Sequence, residues 1–136
     1  MVKTVILIDD DSDDIEIMKE ALQVYDQSLS PISFMHPEEA IRAISDELIL
    51  IPNYIFIDIN MPGITGDKCL EELRKNASLT DAVITMFSTY MPNKVADSLK
   101  RAGADFTFQK PSRFDDYQAI LKKVISFSTL KRTDLY

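Results

Sequence analysis

The chain has 136 residues, of which 46% are hydrophobic and 27% charged, with a formal net charge of −7. That is enough for one domain with a proper core, and the acidic balance argues against nucleic acid held through its phosphate backbone, which needs clustered Lys and Arg. No apolar run approaches the ~18 residues of a membrane span, the start MVKTVILIDDD makes a poor signal peptide, and the single Cys69 excludes an internal disulfide and fits a reducing cytoplasm.

Taken in order, Val5-Ile6-Leu7-Ile8 is an all-apolar run that ends in Asp9-Asp10-Asp11-Ser12-Asp13-Asp14. Ile15, Met18, Leu22 and Tyr25 then recur at helical spacing, so the acids join a strand end to a helix start. Asp13 is expected to cap that helix with Glu16 three residues on, and Asp14 suits the positive end of its dipole. Asp9 and Asp10 are different, because adjacent carboxylates at a strand end repel each other without a cation nearby. Pro31 to Met35 is a short strand candidate, and Pro37 opens a helix whose apolar stripe is Ile41, Ile44 and Leu48. His36, the only histidine, falls in the turn between them and reads as a turn or capping residue.

Tyr54-Ile55-Phe56-Ile57 is the next buried-strand run, closed by Asp58 and then by Ile59-Asn60-Met61-Pro62-Gly63, where a strand must stop. Cys69, Leu70 and Leu73 line one face of a third helix, which makes Cys69 a core residue. Ala82 to Phe87 reads as a fourth strand ending in Ser88-Thr89, and Pro92 starts a helix that Gly103 terminates. Asp105 to Gln109 is a last strand ending in Lys110-Pro111. Ser112 with Asp115 forms a capping pair for a fifth helix carrying Tyr117, Ile120, Leu121, Val124 and Ile125. With no internal repeat or linker, the chain reads as one domain over residues 1–128 and a polar tail over 129–136.

Strands alternating with helices predict an α/β fold, a flavodoxin-like doubly wound (βα)5 unit with a five-stranded parallel sheet in the order 2-1-3-4-5. In that order the acidic ends Asp9/Asp10 and Asp58 close strands 1 and 3, which flank the switch point where open sheets bind ligands. The strand ends together carry three carboxylates, a hydroxyl and one amine. Without a histidine or activated cysteine they suit neither a protease nor an esterase. They do suit Mg²⁺, which takes one or two carboxylates and often shares a phosphoryl oxygen. A carboxylate beside such an ion can attack phosphorus, with Lys110 and Ser88 placed to compensate the phosphoryl oxygens. No phosphate-binding glycine motif is present, so a nucleotide is not the expected ligand.

In this order, Asp9-Asp10, Asp58-Ile59-Asn60-Met61-Pro62 with Gly66, Ser88-Thr89, and Ala102-Gly103-Ala104 running to Lys110-Pro111, the residues resemble the receiver domain of two-component response regulators. The resemblance spans Lys3 to about Phe127 and takes the form of a stand-alone, chemotaxis-like receiver. It implies that Asp58 is the phosphoacceptor, served by a phosphohistidine on a sensor histidine kinase or a phosphotransfer protein. It further implies that Asp10, Asp58 and the Asn60 backbone carbonyl ligate Mg²⁺, with Asp9 holding a metal-bound water. Lys110 would pair with Asp58 or the phosphoryl group, the Lys110–Pro111 bond would be cis, and Ser88 would donate to a phosphoryl oxygen. A cytoplasmic signalling protein without small-molecule turnover, with an unidentified downstream protein partner and a possible homodimer, completes that expectation.

The family's switch aromatic falls here at Thr107, while Phe106 and Phe108 should point to the opposite face. Thr89 is larger than the usual Ala or Gly after the switch hydroxyl and narrows access. Tyr90 is placed to shield an acyl phosphate from water, which implies slow phosphate loss. Two other readings stay open. One is a receiver-fold interaction module whose contacts no longer depend on phosphate, supported by Thr107. The other is a Mg²⁺-dependent phosphatase, which would want an acid at the position of Asn60.

Overall fold

The computed structural model describes residues 2–127; the tail assigned to 129–136 lies outside them. Strands and helices alternate: β1 (Lys3–Ile8), α1 (Ser12–Tyr25), β2 (Leu29–Phe34), α2 (Pro37–Ser45), β3 (Tyr54–Asp58), α3 (Gly66–Arg74), β4 (Val83–Ser88), α4 (Asn93–Arg101), β5 (Phe106–Gln109) and α5 (Phe114–Ile125). A short 3₁₀ turn, Ala77–Leu79, links α3 to β4. The strands form one sheet in the expected order β2-β1-β3-β4-β5, and every adjacent pair is parallel.

Strand residues alternate between two cores, because successive side chains point to opposite faces. Ile6, Ile8, Ile55, Ile57, Ile84 and Met86 pack with Ala40 and Ile44 of α2, with Cys69, Leu70 and Leu73 of α3, and with Leu99 of α4. Val5, Leu7, Tyr54, Phe56, Val83 and Phe87 pack with Ile15, Met18 and Leu22 of α1 and with Tyr117, Leu121 and Val124 of α5. Burial on both faces explains why β1, β3 and β4 read as continuous apolar runs. Phe106 and Phe108 stack on the α1/α5 face at 5.8 Å between ring centroids, so Thr107 faces the other way, as the alternation predicts.

Four local expectations are corrected. The cap of α1 is Asp11, whose carboxylate accepts from the backbone N–H groups of Asp13 and Asp14, so Asp13 sits inside the helix. The helix α2 ends at Ser45, short of Leu48, which is exposed. Glu47 takes φ +57°, and Leu48 and Glu47 N–H donate to Ala43 and Ile44 carbonyls, a Schellman termination with glutamate where glycine usually signals it. Gly103 (φ +117°) closes α4 in the same way, and there the sequence carried the expected marker. Arg113 rather than Ser112 precedes α5, and no side chain caps it. Lastly, every peptide bond among the described residues is trans, Lys110–Pro111 included; a tertiary amide separates the isomers by only about 0.5–1 kcal/mol, too little for sequence to decide.

Candidate metal and phosphoryl site

The site is built by the ladder and its two-residue period. The Asp9 N–H donates to Phe34 O, Ile59 N–H to Phe87 O and Lys110 N–H to Ser88 O, so each strand end is tied to its neighbour at the point where the loop leaves. Counting alternately from the core residues, Asp9, Asp58 and Lys110 follow Leu7, Phe56 and Phe108 onto the α1/α5 side. Asp10 and Ser88 follow Ile8 and Met86 onto the other.

Asp9, Asp10 and Asp58 each present a carboxylate oxygen, all within 4.8 Å of one another. Asp58 is buried at 5% exposure, and its carboxylate accepts from the Asn60 N–H at 3.3 Å. Behind Asp9 and Asp58 the walls are apolar, formed by Leu7, Ile15, Met18, Phe56 and Phe87 around a void of about 30 Å³. Burial accordingly pushes the Asp9 carboxyl up to about 6, against the Asp11 N–H and the Lys110 charge that pull it down. Burial likewise raises Asp58, opposed by Lys110 and the Asn60 N–H and reinforced by the charge of Asp10. The donors offered by Asp9, Asp10 and Asp58 are all oxygen. Their chemistry fits a hard divalent cation such as Mg²⁺ better than a soft one.

Lys110 Nζ lies 2.7 Å from Asp14 Oδ2, 3.1 Å from Asp9 Oδ2 and 3.5 Å from Asp58 Oδ2. Burial works to lower its pKa, yet the hydrogen bond to Asp14 and the charges of Asp9 and Asp58 prevail, and the ammonium is held charged. Asp14 is the residue that sequence reasoning assigned to the helix dipole alone. Its spacing of five from Asp9 hid the fact that the first turn of α1 folds back over the β1 mouth.

Ser88 is buried, and its hydroxyl oxygen accepts from Asn60 Nδ2 at 3.0 Å and from Tyr90 N–H at 3.2 Å. Both contacts use the oxygen as acceptor, so the hydroxyl hydrogen is left for another partner. The Asn60 side-chain contact to Ser88 is not signalled by the sequence, since it joins residues 28 apart. Thr89 and Tyr90 are exposed, Tyr90 at 74%, and Thr107 is half-buried on the α4 side of the sheet. His36 precedes α2 with no side-chain cap bond, and Cys69 is core. A larger cleft of about 310 Å³ lies at the opposite end of the sheet beside Arg74 and Asp105. There the guanidinium is committed to Asp105 and to the carbonyls of Leu79, Ala82 and Gly103.

The profile of the response regulator receiver domain matches residues 5–122. The chain belongs to that family. The two-component response regulator ORR6 of Oryza sativa subsp. japonica is 29% identical over 126 residues, 88% of this chain and 69% of that protein. The fold is shared with the Mn²⁺-bound form of response regulator Rcp1, with TM-score 0.82 and 18% identity, covering 93% of this chain and 97% of the other. It is shared also with the phosphorylated cyanobacterial phytochrome response regulator RcpA, at 0.83 and 19%, covering 93% and 96%. Among the described residues no helix is long and apolar enough to cross a membrane.

Proposed function

We propose that this receiver accepts a phosphoryl group on Asp58 from a phosphohistidine of a sensor histidine kinase or phosphotransfer protein, with Mg²⁺ as cofactor. The observation that carries this reading is the placement of a nearly buried Asp58 within 4.8 Å of two further carboxylates, with the Lys110 ammonium at 3.5 Å. A carboxylate oxygen of Asp58 attacks phosphorus, the P–N bond breaks, and the imidazole nitrogen leaves with the electron pair and takes a proton. Asp10 and Asp58, with the Asn60 carbonyl and with Asp9 through a water, are the residues that would hold the ion. When bound, Mg²⁺ supplies charge compensation for the phosphoryl oxygens. Lys110 supplies a second cation, and the Ser88 hydroxyl, whose oxygen is already fixed by Asn60 and Tyr90, donates its hydrogen to a phosphoryl oxygen.

In this reading the protein is a cytoplasmic signalling component rather than an enzyme with a substrate of its own, and the modified form binds a downstream protein or a second copy. A second reading keeps the fold and drops the phosphate: Thr107 offers no ring on the α4 side to follow a moving Ser88, which favours a phosphate-independent interaction module. Intact mass after incubation with Mg²⁺ and acetyl phosphate separates the two. One Mg²⁺-dependent adduct that Asp58→Asn abolishes is expected. A folded, Mg²⁺-binding protein that takes no phosphate would support the second reading.

A further inference from the structure

Asp14 has no part in the phosphoacceptor chemistry described so far, yet of the three carboxylates around Lys110 it is the nearest, at 2.7 Å against 3.1 Å for Asp9 and 3.5 Å for Asp58. Lys110 is largely buried, with 13% of its side chain exposed, and Asp14 is 28% exposed, so the pair sits at the wall of the site rather than in open solvent. An ammonium has three N–H groups. Two make hydrogen bonds, to Asp14 and to Asp9, and the third is left with the longest of the three separations, to Asp58. Asp14 is held where it is from two sides. Its backbone N–H is bound by the Asp11 carboxylate, and α1 is anchored by the buried Ile15 and Met18 that follow it in the first turns.

A phosphoryl group on Asp58 turns a carboxylate of one negative charge into an acyl phosphate whose phosphoryl oxygens carry nearly two, and it needs the Lys110 ammonium on those oxygens. Asp14 acts against this twice. It competes for the ammonium, and its own charge opposes the arriving dianion. We propose that Asp14 is a positioning residue that draws Lys110 away from Asp58, slowing phosphoryl transfer to Asp58 and loosening the site's hold on the phosphoryl group. This rests on the reading of Asp58 as phosphoacceptor.

The test compares wild type, Asp14→Asn, Asp14→Glu, Lys110→Gln and the Asp14→Asn/Lys110→Gln double variant. Two quantities are read: the initial rate of the Mg²⁺-dependent adduct at sub-saturating acetyl phosphate, and the affinity for beryllofluoride as a phosphoryl mimic. Asp14→Asn is expected to raise both by roughly fivefold, the scale of one partly solvated ion pair. Asp14→Glu restores the carboxylate and with it the wild-type values within about twofold. In the Lys110→Gln background the Asp14→Asn gain disappears. An Asp14→Asn protein no faster than wild type overturns the proposal. So does an equal gain without Lys110, which would make Asp14 a bare charge and not a positioning residue. A wild type that forms no adduct overturns the phosphoacceptor reading, and this proposal with it; a wild type that forms one, with Asp14→Asn unmoved, overturns this proposal alone.

Discussion

Gly66 opens α3 at the point where that helix touches the strand carrying Asp58, and replacing it by alanine is the sharpest test of how the site is held. A Cβ added there would lie 2.5 Å from Ile59 Cα and 2.6 Å from the Asp58 carbonyl oxygen. Both are backbone atoms, so no side chain can turn aside; to reach an ordinary 3.4 Å contact the two segments must part by close to 0.9 Å, the difference between 3.4 and 2.5. The Gly66 N–H donates to Ile59 O at 3.0 Å, and that hydrogen bond is stretched by the same movement. Overpacking of this kind costs about 1–3 kcal/mol, and a weakened buried hydrogen bond adds about 1 kcal/mol. Against this, alanine gains about 0.5–1 kcal/mol from its lower entropy in the unfolded chain. The net expectation is a loss of about 2 kcal/mol, read by urea unfolding or as a fall in melting temperature of roughly 6–10 °C. Gly63→Ala is the control: its Cβ meets only Glu38 Oε1, at 3.4 Å, and the cost there comes from φ +81°. In Gly66→Ala the displaced Asp58 backbone should also weaken binding of a divalent cation. Unchanged or increased stability in Gly66→Ala would refute the argument that α3 is pressed against the Asp58 strand.

Three further outcomes follow from single residues. Without metal, stability should fall as pH rises from about 4 to 6, because the folded chain keeps a proton on Asp9, pushed up to about 6 from 3.8, that the unfolded chain has already released. Asp9→Asn should lift the metal-free protein by roughly 1–2 kcal/mol at pH 7 after allowance for screening and leave it little changed at pH 4, as measured by urea unfolding at the two pH values. Arg74→Met should cost about 3 kcal/mol or more in the same assay, since it removes the cation beside a nearly buried Asp105 carboxylate and a donor to three carbonyls. Thr85→Val should stabilise by about 1 kcal/mol: the Thr85 hydroxyl is fully buried without a hydrogen-bond partner among the described residues, on the face shared with Val83 and Phe87.

Much of this protein is written locally. Two-sided apolar runs dictate parallel strands, helical stripes such as Tyr117, Ile120, Leu121 and Val124 dictate what α5 buries, and alternation along each strand assigns Asp9, Asp58 and Lys110 to one face before any packing is known. Those properties depend on neighbours two to four residues apart, and the sequence holds them. What it does not hold is any distance between strand ends. Asp14 and Lys110 are 96 residues apart, and Asn60 and Ser88 are 28 apart; their contacts exist only because the parallel ladder brings four loops to one edge. The same holds for the end of α2, where Glu47 adopts a left-handed backbone that its identity disfavours, and for the Lys110–Pro111 isomer. Sequence by itself determined the fold, the two cores and the acidic identity of the site; tertiary structure decided which carboxylate holds the lysine, because that choice is set by a few tenths of an ångström between elements that meet only in the folded chain.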